Sequence, residues 1–270
     1  MKKIKLLLCL FMLTTLCGCS NSNKNESSKT LNAAMFWIST SLDPTNNYDG
    51  WVLSRIGVGE TLLKLNEKYE VEPYLAKSYE QIDDTTWKLT LKDSITFSNG
   101  KKVTGENVKS CLERAFEKNT RAIDYFDLNH VEAKGQDIYL YLNKSSGAIL
   151  NNLCEPLFTI YDASQSEEDI ANHPLCTGPF VVDDFVSEKT IDTSKNKKYY
   201  DGKAKLDHVH FSQVADSDAR VLALQSGEVD LANTIDYSSL KLFRNNKDYQ
   251  VLEVLGPRTN VIYMNNETPF

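Results

Sequence analysis

The chain has 270 residues, 41% of them hydrophobic and 25% charged, with a formal net charge of −7. That balance is ordinary for a globular protein, and the length is enough to bury a sizeable core. No basic stripe offsets the acidic surface, so nucleic acid is not an expected partner.

The chain opens with Lys2, Lys3 and Lys5, followed by an apolar run from Leu6 to Leu16. The run is too short to span a bilayer as a mature helix. Leu16-Cys17-Gly18-Cys19 comes next. A small residue before a cysteine, directly behind an apolar run, resembles the lipobox of bacterial lipoproteins. That resemblance implies a signal over residues 1–19, cleavage before Cys19 and a diacylglyceryl thioether on its sulfur. Two acyl chains hold a protein stably at a membrane where one holds it marginally. An ordinary secretory signal with incidental cysteines is the alternative. Loss of the signal removes three lysines and no acid, taking the charge from −7 to −10. Residues 20–29 are polar without apolar periodicity and read as a disordered tether.

Leu31 to Ile38 reads as the first strand, and Asp43-Pro44 as a loop signal. Val52 to Val58 reads as a helix flanked by Gly57 and Gly59. Trp87, Leu89 and Leu91 alternate with Lys88, Thr90 and Lys92, the pattern of a half-buried strand. Ser98-Asn99-Gly100-Lys101 is a hairpin-type turn. Thr104 is an N-cap for a helix whose buried face is Val108, Cys111, Leu112, Ala115 and Phe116. A hairpin is expected around Gly135, from Val131–Ala133 to Ile138–Leu142, and a polar acidic loop from Ser164 to Asn172. Strands then begin at Pro179 and run over Leu206–Val214. Asp216 or Ser217 caps a helix with Val221, Leu222 and Leu224 on its apolar face, and Gly227 ends it. Val229–Leu231, Gln250–Leu255 and Val261–Met264 read as the last strands.

Of six cysteines, Cys9 and Cys17 leave with the signal and Cys19 carries lipid. Cys111 reads as a small buried hydrophobe. Cys154 and Cys176 are candidates for a disulfide in an oxidising space, although spacing alone does not show proximity. Catalytic signatures are missing: there is no Gly-x-Ser-x-Gly, no His-Glu-x-x-His, no phosphate-cradling glycine loop and no mature Cys-x-x-Cys. His208 and His210 share one face of a strand; two exposed strand residues are the simpler reading than a metal pair. The chain is therefore not expected to be an enzyme, and neither a metal nor a cofactor is assigned.

Several segments together resemble the solute-binding proteins of ABC importers, in the oligopeptide/dipeptide/nickel-binding family (family 5). They are Ser41-Leu42-Asp43-Pro44, Gly57-Val58-Gly59-Glu60-Thr61-Leu62, Pro73-Tyr74-Leu75-Ala76-Lys77-Ser78-Tyr79, Trp87-Lys88-Leu89-Thr90-Leu91-Lys92 and Phe97-Ser98-Asn99-Gly100-Lys101-Lys102-Val103-Thr104. Thr177-Gly178-Pro179-Phe180, Tyr199-Tyr200-Asp201-Gly202-Lys203-Ala204-Lys205-Leu206-Asp207 and Ala223-Leu224-Gln225-Ser226-Gly227-Glu228-Val229-Asp230 complete the set. The resemblance implies an α/β fold: one lobe of the type II periplasmic-binding-protein kind, a mixed sheet with helices. It places that lobe at residues 30–61 and 168–270, with a small α+β domain inserted at 62–167. The two parts are expected to pack as separate cores. Family members run longer, so the chain is expected to lack the second lobe.

The resemblance also implies a ligand cleft along the segment after Asp43-Pro44, where a ligand backbone can pair as an added strand. The candidates are Asn47, Tyr48, Asp49, Gly50 and Trp51, with Tyr48 and Trp51 as apolar walls and Gly50 allowing close backbone approach. Arg121 either neutralises a ligand carboxylate or is a solvated charge at a helix end. Asn151 to Leu157 carries no arginine, where some nickel-type members have one. The implied function is a lipid-anchored, extracytoplasmic receptor that passes a small peptide or metal chelate to ABC permease and ATPase subunits. A surface lipoprotein reusing the fold as a chaperone or signalling partner is the alternative.

Overall fold

A computed structural model describes residues 28–254, 256 and 261. The predicted signal, Cys19 and the tether up to residue 27 lie outside the described residues. Strand β1 (Thr30–Met35) stops short of the predicted Ile38. The reason is a change of acceptor: Phe36 N donates to Asn233 Oδ1 (3.0 Å) and Ile38 N to Gln213 Oε1 (2.6 Å), so the chain leaves the ladder. Helix α1 (Gly50–Arg55) starts two residues early and ends before Gly57, whose φ of 70° breaks the helix.

Strands β2 (Leu63–Leu65) and β3 (Val71–Pro73) form an antiparallel pair. Next come β4 (Ala76–Gln81), β5 (Thr86–Leu91), α2 (Gly105–Lys118), α3 (Ala122–Tyr125), β6 (Leu128–Lys134) and β7 (Asp137–Leu142). Their strands make a four-stranded antiparallel sheet in the order β4-β5-β7-β6. In β5 the alternation holds, with Leu89 and Leu91 fully buried. Thr104 N donates to Asn107 Oδ1 (3.0 Å) at the head of α2, which buries Val108, Cys111, Leu112 and Ala115 as the spacing predicts.

The expected loop at Ser164–Asn172 is instead partly helical. After α4 (Ile149–Asn152) and a 3-10 turn (Pro156–Phe158), residues Glu167–Asn172 form α5. Ser166 caps it by accepting from Asp169 N (3.1 Å), and Ile170 is buried beneath it. The acids that suggested a loop are Glu167, Glu168 and Asp169 in the first turn, where a helix N-terminus favours negative charge.

Strands β8 (Phe180–Val186), β9 (Thr190–Lys195) and β10 (His208–Gln213), helix α6 (Ser217–Ser226) and strand β11 (Leu231–Ala232) follow. The large sheet has the order β11-β1-β10-β9-β8. β1 is parallel to both of its neighbours, and the β10-β9-β8 pairs are antiparallel. Asp216 caps α6 through Ala219 N (2.8 Å), and Gly227 closes it at a φ of 75°. The predicted apolar face of α6 needs correction, because Leu222 is 65% exposed while Arg220, Val221 and Ala223 are buried. Arg220 turns inward to donate to the carbonyls of Val214, Ala215, Asn233 and Thr234. Two residues further on, Leu222 falls on the opposite side of the helix. No strand forms at 250–254, and the predicted strand at 261–264 lies outside the described residues except for Val261.

Cys111, Cys154 and Cys176 are all free thiols, so Cys154 and Cys176 are not joined. His210 Nδ1 pairs with Asp192 Oδ1 across β9 and β10 at 2.6 Å. One buried cluster joins Ala33, Met35 and Phe211 of the large sheet to Leu89 and Leu140 of the four-stranded sheet. A second, small cluster of Ala34, Ala223 and Val229 lies under α6.

The segments that connect the two sheets run side by side. Gly178 N donates to Val58 O (3.0 Å) and Phe180 N to Gly57 O (3.1 Å). A Cβ on Gly178 would stand 2.5 Å from the carbonyl oxygens of both Gly57 and Val58. Gly178→Ala is expected to destabilise the protein by about 1–3 kcal/mol, read as a lower urea midpoint with an unchanged m-value.

Candidate ligand-binding site

In open α/β sheets, ligands settle in the crevice beyond the carboxyl ends of parallel strands, where chain connections diverge. β1 meets that condition, with parallel partners on both sides. Phe36 and Trp37 emerge from its carboxyl end and, with Tyr48, Trp51 and Arg55, line an open pocket of about 440 Å³. Four aromatic rings and one guanidinium suit a solute with flat or apolar parts and a negative charge.

A buried ion pair fixes the loop that carries Tyr48 and Trp51. Arg114 of α2 grips Asp43 with both ends of its guanidinium, Nη1 to Oδ1 at 2.8 Å and Nη2 to Oδ2 at 2.7 Å. It also donates to Thr45 Oγ1 (2.7 Å), Tyr161 Oη (2.9 Å) and Glu167 Oε2 (2.5 Å). Thr45 N and Oγ1 donate to Asp43 Oδ1. Burial alone would raise the Asp43 pKa, but the bonds from Arg114 and Thr45 outweigh it and hold the carboxyl below its ordinary value. Asn119, just past α2, donates its side-chain N–H groups to Thr45 O (3.0 Å) and Asn47 O (3.1 Å).

The residues nominated from sequence separate into two groups. Tyr48 and Trp51 face the pocket and are 54% and 38% exposed. Arg121 stacks on the outer side of Tyr48, its Cζ 3.7 Å from the ring centroid, and donates to Asn47 O (3.0 Å) and Tyr125 Oη (2.7 Å). Asn47 sits at a φ of 45° at the tip of the loop and offers its carbonyl to these donors. Asp49 and Gly50 lie underneath, both buried. The close backbone approach at Gly50 is made by this chain itself, since a Cβ there would stand 2.3 Å from Pro156 O.

Phe36, Trp37 and Arg55 were not among the sequence candidates. The first two read as the continuation of an apolar strand. Arg55 lies four residues after Trp51 on one helix, a spacing that puts both on the same face. Its Cζ is 5.4 Å from the ring centroids of both Phe36 and Trp51. Glu155 was also missed; it accepts from Trp51 Nε1 at 2.8 Å.

Residues 70–270 match the model for the middle part of the bacterial extracellular solute-binding proteins, family 5. The nickel-binding protein NikA of Staphylococcus aureus is 33% identical over 251 residues, covering 93% of this chain and 50% of that protein. Its crystal structure in complex with Ni(L-His)2 superposes with a TM-score of 0.77, over 82% of this chain and 46% of that one. The glutathione-binding protein GsiB of Escherichia coli is 27% identical over 220 residues, 77% of this chain and 43% of that protein. The chain thus spans about half the length of the relatives it matches.

Asp49 provides a test of the loop. Burial, reinforced by the nearby Asp43 charge and only partly offset by Asn46 Nδ2 at 2.7 Å, pushes its carboxyl up to about 6. The fold therefore favours the protonated form, and this group's stabilisation is full below pH 3.8 and is lost as pH rises through about 6. Asp49→Asn should be more stable than the parent by about 1–2 kcal/mol at pH 7.5 and equal to it only at about pH 3, below 3.8, followed by thermal melts at both values.

Proposed function

The chain belongs to the family 5 bacterial extracellular solute-binding proteins, and we propose that it captures a small anionic solute at the pocket beyond β1. The favoured class is a metal chelate of amino-acid carboxylates, with a short peptide as the second reading. The observation that carries this is the pairing of guanidinium with aromatic surface: Arg55 lies between Phe36 and Trp51, and Arg121 lies on Tyr48. A guanidinium beside aromatic rings offers a carboxylate a permanent positive charge, while the rings take the apolar or planar remainder. Residues 151–157 lack an arginine, and α1 supplies one from a different element. The staphylococcal relative was crystallised with nickel and two histidines, and the relative from Escherichia coli is named for glutathione; both ligands carry carboxylates.

In this proposal the protein is held at the extracytoplasmic membrane face by lipid on Cys19 and hands its solute to an ABC permease driven by ATPase subunits. Replacing Cys19 by Ala should release it from membranes and abolish labelling by a radioactive fatty acid.

The pocket is open, so residues 20–270 alone cover about one face of a solute, whereas tight sites bury most of it. Titration calorimetry with nickel(II)–L-histidine and with a di- to hexapeptide pool should show weak binding by this chain. Binding should tighten when the chain is joined to the part of NikA it does not cover. In the joined protein, Trp51→Ala and Arg121→Ala should each weaken binding about tenfold or more, and His208→Ala should leave it unchanged. Unaltered affinity in both pocket variants would overturn this placement of the site.

A further inference from the structure

Glu155 stands where both arms of the pocket meet. It precedes the 3-10 turn Pro156–Phe158, and Phe158 N donates to its carbonyl (2.9 Å) while its own N–H donates to Asn152 O (3.0 Å). The turn is pressed against α1 at the Gly50–Pro156 contact, which admits no side chain. The base of Glu155 is thereby fixed relative to Trp51. One carboxylate oxygen accepts from Trp51 Nε1 at 2.8 Å. Burial first, and then the charge and hydrogen bonding of Glu155, push the Tyr125 phenol up to about 12.

Arg55 and Arg121 lie beside the rings of this region. Trp51 forms one side of the slot that holds Arg55, with Phe36 as the other. Tyr125 Oη accepts from Arg121 Nη2 (2.7 Å), and Arg121 in turn covers Tyr48. Tyr125 is itself anchored, its carbonyl accepting from the Asn152 side chain and its ring packing edge-on against Phe158 at 5.7 Å. An indole at a half-exposed position can exchange between staggered rotamers unless its N–H is held. The Glu155 carboxylate therefore sets the plane of Trp51.

We propose that Glu155 is the positioning residue of this pocket, holding the Trp51 indole in one plane so that it forms a fixed wall for an anionic solute. The proposal rests on the solute-binding reading above and adds a residue that itself need not touch the solute. A preorganised wall binds a solute more tightly than a mobile one because no rotamer freedom is lost on binding.

The test uses the full chain, 15N-labelled at tryptophan, with nickel(II)–L-histidine as probe. In Glu155→Ala the Trp51 indole N–H resonance should shift and its exchange with solvent should quicken at least about tenfold, and probe affinity should fall about tenfold. Glu155→Gln keeps an oxygen acceptor, so it should restore both to within about threefold of the parent. Trp51→Ala should cost less in the Glu155→Ala background than in the parent, because Glu155 acts through Trp51. If Glu155→Ala lowers only the melting temperature and leaves the indole signal and its exchange unchanged, the positioning role is overturned. If the parent binds neither this probe nor peptides, the solute reading fails. The indole signal still decides the role of Glu155, its movement supporting that role and its constancy refuting it.

Discussion

The Asp43–Arg114 ion pair is the constraint on which the pocket depends. It is bidentate, buried, and spans the fold: Asp43 belongs to the loop between β1 and α1, Arg114 to the helix that covers the four-stranded sheet. Removing one partner of such a pair strands a charge away from water, at a cost of about 3–5 kcal/mol. Thr45 and Tyr161 also accept from Nη1 of the guanidinium and Glu167 from Nη2. The pair therefore does more than bring two charges together. It closes a network that includes the loop, α2, α5 and the segment returning to the large sheet.

That network explains why an exposed loop can present aromatic side chains in fixed positions. Loops are normally the mobile part of a fold. Here Asn119 and Arg121, just beyond α2, bind the carbonyls of Thr45 and Asn47, so the same helix that holds Asp43 also holds the loop tip. From the other side, Gly50 brings α1 against Pro156 with no room for a methyl group. The continuous core from Ala33 to Leu140 follows from these crossings, because the two sheets are joined by packed segments and not by a flexible linker.

The parts of the fold that were legible in the sequence are those decided by near neighbours. The alternation in β5, the buried stripe of α2 and the stop at Gly227 each depend on residues within a few positions of one another. Helix α5 was missed because its acids signal either a loop or a first turn, and only the buried Ile170 and the Ser166 cap decide between them. Leu222 was placed inside with Val221 and Leu224; what turns Arg220 inward instead is a set of carbonyls, two of which come from residues 233 and 234. In the pocket, Tyr48, Trp51 and Arg121 followed from a resemblance. Phe36, Trp37 and Glu155 became visible only through contacts between residues far apart in the chain, which no local pattern encodes.

The most direct test is hydrogen–deuterium exchange, amide by amide, on Arg114→Met. The Thr45 amide bonds to Asp43 Oδ1 at 2.9 Å, and those of Asn46 and Val52 bond within the loop and the start of α1. If the ion pair holds the pocket loop, these amides should exchange at least about a hundredfold faster than in the parent, beyond any change shared by the β9–β10 ladder. Acceleration spread evenly over the loop and the ladder would mean that Arg114 stabilises the fold as a whole without holding the loop, and would contradict the account.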